Sequence, residues 1–250
     1  MAEWFESFFD DLAVEYFGHA VSAERVERSA RTIQALLGLE GGDSVLDVPC
    51  GIGRLAVPLA GLGLRVTGVD FSRVYLDAGR AQAAAAGLSV RFIERDMRKI
   101  DFVEAFDGAL NWGGSFGYFS DADNLRYCHK IGQALRPGGR FLLDTIHEPW
   151  LAENCRPHTD VVLRGIRIRQ MSRYDRASGR YRALWTYTKG RERRRHHLSM
   201  RVYTEGDLRK LLRQAGFAEV ECLGGPPPVG PLGPTSRRML TIATRPPTTD

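Results

Sequence analysis

Three acidic residues, Asp47, Asp70 and Asp96, each close a short apolar run in the first hundred residues of the chain. A carboxylate accepts hydrogen bonds from ammonium, hydroxyl and amino groups, and it attracts positive charge. Met97, next to the third acid, adds a thioether that can lie against a flat ring. If the three runs are neighbouring strands, these groups predict a site for one ligand with a cationic end, a diol and an amino-substituted ring.

A glycine-rich turn separates the first two acids. Pro49-Cys50-Gly51-Ile52-Gly53 follows Asp47 by one residue, and its glycines let the backbone approach a bound molecule at the start of a helix. Gly51 to Ala56 also satisfies the dinucleotide fingerprint, so a nicotinamide or flavin enzyme is one alternative. Asp47 argues against it, because a carboxylate would repel a pyrophosphate in this turn. An acid at Asp70 serves either kind of ligand.

A parallel sheet is needed to bring these groups together. Short apolar runs alternate with helix-like segments near 53–62, 72–86 and 121–135, which is typical of repeated strand–helix units. The carboxyl ends of parallel strands meet at one edge of the sheet, where open α/β proteins bind ligands. The runs predicted to be strands are 45–48, 65–69, 90–93, 106–111 and 140–144.

The sequence therefore predicts an α/β fold with an N-terminal helical cap and a β insertion. Two helices in the first forty residues present a wide aromatic face, and polar and apolar residues alternate in the insertion as in an antiparallel sheet. The predicted boundaries are an N-terminal helical cap at 1–40, a core at 41–155 and 204–250, and a basic antiparallel β insertion at 156–203. The later strands are predicted at 161–170, 179–189 and 196–203 in the insertion, and at 218–223 and 238–244 in the core.

These motifs resemble those of class I S-adenosylmethionine-dependent methyltransferases, in the bacterial branch that modifies small molecules such as aminosugars and natural products. The resemblance covers roughly 45–145, and Pro49 departs from it where many members have a glycine. It implies a Rossmann-like sheet of seven strands with the last one antiparallel, and S-adenosyl-L-methionine as cofactor. The matching segments are Val45–Arg54, Gly68–Ser72, Arg95–Arg98, Phe106–Asn111 and Leu135–Asp144.

The resemblance also assigns the parts of the cofactor to residues. Asp47 and the glycine turn take the methionine moiety, Asp70 the ribose hydroxyls, and Asp96 with Met97 the adenine. Trp112 lies near the sulfonium, where a ring face stabilises positive charge. Simple packing is the alternative for the aromatic members. The predicted cofactor-binding residues are Tyr16, Asp47, Pro49, Cys50, Gly51, Gly53, Asp70, Phe71, Asp96, Met97, Asn111 and Trp112.

The acceptor is less well specified. Methyl transfer from a sulfonium depends mainly on positioning, so a general base is useful but not always needed. His147 and Tyr118 are the predicted catalytic candidates, with His19 as a further one. The segment 111–119 is rich in glycine and aromatic residues and lacks the Asn/Asp-Pro-Pro-aromatic sequence of amino methyltransferases that act on DNA and glutamine. This favours a small organic acceptor.

The basic insertion supports a competing hypothesis. Residues 156–201 contain 14 basic and 3 acidic residues, a net charge of 14 − 3 = +11 in a chain whose total is +5. Such a segment can be a solvated sheet face, a lid, a contact in a homodimer, a surface for an anionic acceptor or a nucleic-acid surface. An RNA methyltransferase and a non-methylating protein that binds S-adenosylmethionine therefore stay open as alternatives.

Composition indicates the class of protein and its cellular location. At 43% hydrophobic and 26% charged residues the chain is typical of a globular protein, and no apolar run reaches the roughly 18 residues needed to span a bilayer. The N-terminus is acidic where a signal peptide would be basic. Four separated cysteines without a Cys-x-x-Cys pair indicate neither a metal site nor disulfides. We expect a soluble, cytoplasmic protein that uses no metal.

Overall fold

A computed structural model describes residues 3–225 and 227–248 of the protein, with twelve strands in that part of the chain. Eight strands form a central sheet and four form a separate antiparallel sheet. The strands are β1 Ser44–Asp47, β2 Arg65–Asp70, β3 Arg91–Glu94, β4 Phe106–Asn111, β5 Leu135–Ile146, β6 His158–Leu163, β7 Ile166–Asp175, β8 Arg180–Lys189, β9 Glu192–Arg201, β10 Glu219–Gly225, β11 Gly230–Pro231 and β12 Arg238–Thr244.

Helices cover both faces of the central sheet. None of those in the described residues is long and apolar enough to cross a lipid bilayer. They are α1 Trp4–Phe8, α2 Asp11–His19, α3 Ala23–Leu37, α4 Ala56–Gly61, α5 Arg73–Ala85, α6 Asp121–Ala134, α7 Glu148–Asn154 and α8 Glu205–Gln214.

The central sheet has the order β11-β10-β12-β5-β4-β1-β2-β3. The strands β1 to β5 are parallel, and β12 runs antiparallel between β5 and β10, as expected for the Rossmann-like class. The sheet has eight strands rather than seven because Gly230–Pro231 adds a two-residue edge strand to β10. Since β1 lies between β2 and β4, the residues that follow these three strands meet at one edge.

Two apolar clusters of buried residues fix the central sheet between its helices. On one face Val45 and Leu110 pack with Ile33 of α3 and Leu59 of α4. On the other face Leu46 and Phe141 pack with residues of α6 and α8, among them Ile131 and Leu212. Alternate residues of each strand point to opposite faces, so a buried parallel strand is apolar on both sides. The apolar runs found in the sequence are therefore the central strands.

The N-terminal cap contains three helices rather than the two predicted. The aromatic pattern suggests one helix from Trp4 to Phe17, but the chain breaks at Phe9 and restarts with Asp10 as the N-cap of α2. The Asp10 carboxylate accepts a hydrogen bond from the Ala13 backbone N–H at 3.0 Å. An aspartate side chain favours this capping role over a place inside a helix.

The insertion contains four strands rather than the three predicted. The segment 161–170 is not one strand, because Arg164 and Gly165 both have positive φ angles, 47° and 81°, and turn the chain between β6 and β7. The following hairpins pair β7 with β8 over nine residue pairs and β8 with β9 over ten. The helix predicted from residue 53 begins at Ala56, because residues 51–55 form the glycine turn itself.

The insertion is tied to the core beside the predicted acceptor segment. The backbone N–H of Arg201, the last residue of β9, donates to the carbonyl oxygen of Gly117 at 2.7 Å. Gly117 has a φ of 98°, and a Cβ atom at this position would overlap the Arg201 carbonyl oxygen. Glycine is therefore required here both by the backbone conformation and by the close approach.

We expect Gly117→Ala to lower the free energy of unfolding by about 2 kcal/mol or more, from left-handed strain and the clash with Arg201. Chemical denaturation monitored by circular dichroism measures the loss. Gly138→Ala is the matched control, because Gly138 also has a positive φ, 77°, but has no atom within 4 Å of the added Cβ. If both variants lost the same free energy of unfolding, the contact between β9 and residue 117 would contribute nothing to stability.

Candidate functional site

A cavity lies at the carboxyl ends of β1, β2 and β4, covered by the N-terminal helices. It brings together ten of the fifteen site residues predicted from the sequence. Its lining residues are Phe5, Phe9, Phe17, Asp47, Pro49, Cys50, Gly51, Ile52, Arg54, Leu55, Asp70, Phe71, Tyr75, Asp96, Met97, Trp112, Gly113, Ser115, Tyr118 and Phe119.

Asp47, the last residue of β1, is the most deeply buried acid of the cavity. Its side chain is only 2% exposed, and it makes no hydrogen bond to any group in the described residues. Burial, reinforced by the nearby charge of Asp70, raises the pKa of this carboxyl to about 8, against a weaker opposite effect of Arg54. At neutral pH the carboxyl group is therefore mostly protonated, and a cationic ligand group would favour its ionised form.

Arg54, on the turn that precedes α4, also lines the cavity. Among the described residues it has no ion-pair partner and no hydrogen bond. Burial lowers its pKa, while the charge of Asp47 acts in the opposite direction. The guanidinium group stays charged at neutral pH even so, because it loses its proton only under strongly basic conditions. Arg54 can therefore bind an anionic group of a ligand. Asp47, once ionised, can bind a cationic group beside it.

Asp70, the last residue of β2, is buried against the glycine turn. Its Oδ2 accepts a hydrogen bond from the Gly51 backbone N–H, and its Oδ1 accepts one from the Ser72 N–H, both at 2.9 Å. Burial raises its pKa to about 6, although these backbone hydrogen bonds oppose the rise. Each carboxylate oxygen keeps a further lone pair, so Asp70 can shape the turn and still accept from a hydroxyl group.

Asp96 lines the cavity but is already strongly engaged. Both of its carboxylate oxygens accept hydrogen bonds from the Arg98 guanidinium, and Oδ1 also accepts from the Arg98 backbone N–H at 2.8 Å. Burial raises the pKa of Asp96, but the bonds with Arg98 outweigh it and the net shift is downward. Asp96 is therefore an ionised, largely paired group with limited capacity for a ligand.

The remaining walls are aromatic. Phe71 follows β2, Trp112 follows β4, and Phe5 and Phe9 come down from the N-terminal cap. Tyr118 packs edge to face on Trp4, with ring centroids 4.8 Å apart. Burial raises the pKa of Tyr118 to about 12, so at neutral pH it is a neutral phenol that can donate or accept a hydrogen bond. It is not a phenolate base at that pH.

Two of the predicted binding residues near the turn and β4 are turned away from the cavity. A Cβ atom on Gly53 would lie 2.9 Å from Phe92 and 3.2 Å from the Gly79 backbone, so this glycine allows close packing of α5 and β3. Asn111 is fully buried, and its amide donates to the hydroxyl of Tyr127 at 3.1 Å. Both residues support the site from behind.

Two further predicted residues lie elsewhere. Tyr16 packs against Tyr187 of the insertion rather than over the cavity, and Phe17 takes the lining position. His147, predicted as a catalytic base, is 5% exposed at the start of α7, and its Nδ1 lies 3.0 Å from the Ser236 carbonyl oxygen. Because this ring is held by the loop before β12, its position does not support the predicted catalytic role. His19, at the exposed end of α2, is also absent from the lining.

Sequence reasoning missed Arg54, Tyr75 and the three phenylalanines of the cap. Arg54 stands three residues after Gly51, and its charge in a ligand-binding turn was the available signal. Tyr75 could not be found from its spacing, because it is one apolar residue among several on the buried side of α5. The phenylalanines were recognised as an apolar face but not as part of the wall.

Six of the fourteen basic residues at 156–201 form ion pairs within the described part of the chain. Arg194 binds the carboxylates of Asp10, Asp11 and Glu192, and Lys189 binds Glu15. The remaining pairs join Arg167 and Arg169 to Asp160, Arg176 to Glu148 and Glu153, and Arg201 to Asp121 and Asp207. These pairs neutralise part of the positive charge of the insertion, while the other eight basic residues, Arg193 and Arg195 among them, have no ion pair in the described residues.

Comparison with known proteins agrees with this geometry. Residues 45–139 match a family model described as a methyltransferase domain. This segment is therefore similar to a methyltransferase domain, in agreement with the resemblance of its motifs to class I S-adenosylmethionine-dependent methyltransferases. A Geobacillus protein named as a methyltransferase is 33% identical to the chain over 108 residues, which are 43% of this chain and 44% of that protein. The chain spans about half, or less, of the curated relatives it matches first.

Solved structures resemble the methyltransferase domain together with its additions. The CcbJ methyltransferase from Streptomyces caelestis is 20% identical, with a TM-score of 0.79 over 96% of this chain and 98% of that chain. The sugar N-methyltransferase KedS8 from a Streptoalloteichus species is 22% identical, with a TM-score of 0.68 over 95% and 93%. At this level of identity the likeness shows the fold.

S-adenosylmethionine is the cofactor of this class, and the lining of the cavity fits it. The cofactor has an ammonium and a carboxylate on one end, a ribose diol in the middle and an adenine on the other end. The unpaired Asp47 and Arg54 have the opposite charges to those of an amino-acid end group. Asp70 has lone pairs for a diol, and Phe71 and Met97 offer apolar surface for a flat ring.

We expect Asp47→Asn to stabilise the ligand-free protein at pH 8 but not at pH 4. The pKa of Asp47 is higher in the folded state than its ordinary 3.8, so the folded protein loses stability as the pH rises from about 4 to 8. Asparagine cannot ionise and escapes this loss. A gain of at least about 1 kcal/mol should raise the melting temperature by about 2–4 °C in a domain of this size.

Scanning calorimetry at both pH values measures this difference. Glu219→Gln, at an exposed position of β10, is the control and should leave the melting temperature unchanged at either pH. A melting temperature for Asp47→Asn that is equal to or lower than that of the parent protein at pH 8 would show that the carboxyl is not held in an unfavourable environment.

Proposed function

We propose that the protein transfers a methyl group from S-adenosylmethionine to an oxygen, nitrogen or carbon atom of a small organic acceptor. The observation that carries this proposal is the cavity, in which Asp47, Arg54 and Asp70 face one space walled by Trp112 and Tyr118. The match of residues 45–139 to a methyltransferase domain supports the same reaction. An enzyme that closes aromatic side chains around the reacting atoms excludes water from the transfer.

Each charged residue then has a defined task. Asp47 accepts hydrogen bonds from the ammonium of the cofactor, and Arg54 donates to its carboxylate, so the pair fixes the amino-acid end by two opposite charges. Asp70 accepts from the ribose hydroxyls while it holds the glycine turn through Gly51. Phe71 and Met97 form the surface for the adenine. The cofactor supplies an electrophilic methyl group on a sulfonium with a good leaving group.

Positioning is the main contribution of the chain to the chemistry. No histidine lines the cavity in the described part of the chain, and Tyr118 is neutral because its pKa is raised to about 12. Trp112 and Tyr118 form the wall on the acceptor side, where a ring face stabilises positive charge by about 0.5–2 kcal/mol. An acceptor that attacks through a neutral lone pair needs no base before the transfer, and its proton can leave afterwards.

A small acceptor fits the structure better than RNA. The insertion arginines Arg194 and Arg201 form ion pairs with the cap and the core, which leaves fewer cations to replace counterions along a phosphate backbone. The name of the solved sugar N-methyltransferase supports a small hydroxylated acceptor for proteins of this fold. A homodimer contact through the insertion and a cytoplasmic location stay predictions.

Calorimetric titration should detect binding of S-adenosylmethionine and of its demethylated product, and no binding of NAD. Arg54→Gln and Asp47→Asn should each weaken cofactor affinity by about 1–3 kcal/mol, because each removes a hydrogen bond to a charged group. Arg193→Gln, on the exposed side of β9, should leave the affinity unchanged. Tight NAD binding without a response to the sulfonium compound would contradict the proposal.

Incubation with S-adenosylmethionine labelled in its methyl group tests the transfer itself. Mixed pools of small metabolites and of RNA, offered separately, should give label in the metabolite pool alone. Label incorporated into RNA, in an amount that falls steeply with salt, would replace the small-acceptor proposal by an RNA methyltransferase. Cofactor binding without label in either pool would favour a protein that uses the sulfonium without transferring its methyl group.

A further inference from the structure

Unpaired polar atoms are concentrated at one place outside the cofactor end of the cavity. Seven buried side-chain nitrogen and oxygen atoms in the described residues have no hydrogen-bond partner, and five of them belong to one neighbourhood. These five are the hydroxyls of Tyr75 and Tyr187, the indole nitrogen of Trp185, and both ring nitrogens of His196. Leaving such a group unpaired costs about 1–3 kcal/mol, so five together need an explanation.

Three of the four side chains stand side by side on the insertion sheet. Register pairs Trp185 of β8 with His196 of β9, and alternation puts Tyr187 on the same face of the sheet. The ring centroids of Trp185 and Tyr187 are 5.9 Å apart, and those of Tyr187 and His196 are 5.7 Å apart. We call this side, which faces the cap, the inner face of the insertion.

Tyr75 connects the inner face to the cavity. It lines the cavity, and its ring packs on Phe9 at 5.6 Å. Phe9 in turn packs on Phe8 at 5.0 Å, and Phe8 lies 6.4 Å from Tyr187, so the rings of the cap stand between Tyr75 and the inner face. The unpaired groups thus lie on both sides of the cap rings, Tyr75 at the cavity and the other three on β8 and β9.

The charges around the inner face are already balanced. Asp10 accepts hydrogen bonds from the Ala13 backbone and from Arg194. Its Oδ2 also lies 3.1 Å from Nε2 of His196, without the alignment of a hydrogen bond. Glu15 is paired with Lys189. A charged ligand would therefore find no unpaired opposite charge here, whereas phenol, indole and imidazole groups suit neutral oxygen atoms.

We infer that the inner face of the insertion is the acceptor-recognition surface, where Tyr75, Trp185, Tyr187 and His196 hydrogen-bond the hydroxyl or carbonyl oxygens of a neutral, oxygen-rich ring compound. This inference rests on the proposed methyl transfer and names its substrate class. The donor-only indole N–H requires an oxygen acceptor on the ligand, and the flat faces of Trp185 and Tyr187 suit the apolar faces of a ring.

The cap covers this surface in the present arrangement. Phe8 lies against Trp185 and His196 at 5.5 and 5.7 Å, and Phe17 lies near Trp185. The ion pairs that join the cap to the insertion are partly exposed, so water and salt screen them. Access to the inner face requires displacement of residues 4–19, which uncovers the buried side chains of Phe8 and Leu12. The ring of the acceptor must therefore replace this apolar contact as well as form hydrogen bonds.

Tyr187→Phe tests the inference by two measurements in the full-length protein. Removing an unpaired hydroxyl should leave the melting temperature of the ligand-free protein unchanged or raise it. Tyr203→Phe is the matched control, because the buried Tyr203 hydroxyl donates to Asp121 at 2.8 Å and accepts from Asn124 at 2.9 Å. This control should lower the melting temperature. A loss in Tyr187→Phe as large as that in Tyr203→Phe would overturn the assignment of Tyr187 as an unpaired group.

Binding of matched probes is the second measurement. Phenyl glucoside is neutral, phenyl glucuronide is its anionic counterpart and phenyl glucosaminide is its cationic counterpart. Saturation-transfer NMR, with the demethylated cofactor product present, should detect the glucoside at least tenfold more tightly than either charged probe. Tyr187→Phe and Trp185→Phe should each weaken the glucoside about fivefold or more, with cofactor affinity unchanged.

The outcomes separate the inference from the proposed function. Preference for the glucuronide or the glucosaminide, or glucoside binding that is unchanged in both variants, would overturn the inference while cofactor binding stands. If none of the three probes bound, the inference that the inner face binds oxygen-rich ring compounds would also be overturned. Loss of cofactor binding in the unmodified protein would instead contradict the proposed function itself.

Discussion

The burial of the Asp47 carboxyl without a hydrogen-bond partner is the constraint on which the rest of the site depends. The parallel strand β1 lies in the middle of the sheet, so its last residue is surrounded by protein on every side except the cavity. In that position the carboxyl favours its protonated form, with a pKa of about 8. The folded protein stores an unfavourable interaction there, and a bound cation relieves it.

The other charged groups follow from that constraint. Arg54 compensates part of the charge when Asp47 ionises, yet it keeps its own capacity for an anion because it has no ion-pair partner among the described residues. Asp70 is stabilised by backbone hydrogen bonds and so remains closer to its ordinary pKa. The site thus combines one unfavourably buried acid, one unpaired cation and one hydrogen-bonded acid around the glycine turn. Such a combination favours a zwitterionic end group over a phosphate.

The cap and the insertion are better understood as one unit than as two additions. Arg194 and Lys189 of the insertion bind acids on α2, and Phe8 of α1 packs on the aromatic side of β8 and β9. The positive charge of the insertion and the acidic residues of the cap are therefore complementary parts of one cover. Beneath this cover lie the unpaired phenol, indole and imidazole groups that make the inner face polar.

The sequence predicts the acids of the site well because their position is a consequence of topology. A residue that ends a central parallel strand must reach the ligand edge, so Asp47 and Asp70 can be placed from the pattern alone. Gly53 could not be judged in this way, because its need for glycine comes from Phe92 and Gly79, which are distant in sequence. His147 follows a core strand, but the direction of its ring depends on the carbonyl of Ser236.

The same distinction explains the remaining differences. The turn at Arg164 and Gly165 contains a glycine, but polar and apolar residues alternate on both sides of it. The pattern therefore predicts one long strand across the turn. The unpaired state of Arg54, Tyr187 and His196 cannot be seen in any pattern, because it depends on the absence of partners in three dimensions. Element types and strand-end residues are thus predictable from local pattern, while pairing is not.

Proton release on cofactor binding tests the central claim about Asp47 most directly. Titration of S-adenosylmethionine into the protein at pH 7, in buffers of different ionisation enthalpy, gives the number of protons exchanged. A carboxyl with a pKa near 8 that ionises beside the bound ammonium should release close to one proton, and Asp47→Asn should abolish this release. Binding enthalpies independent of the buffer, or release that persists in Asp47→Asn, would contradict the account.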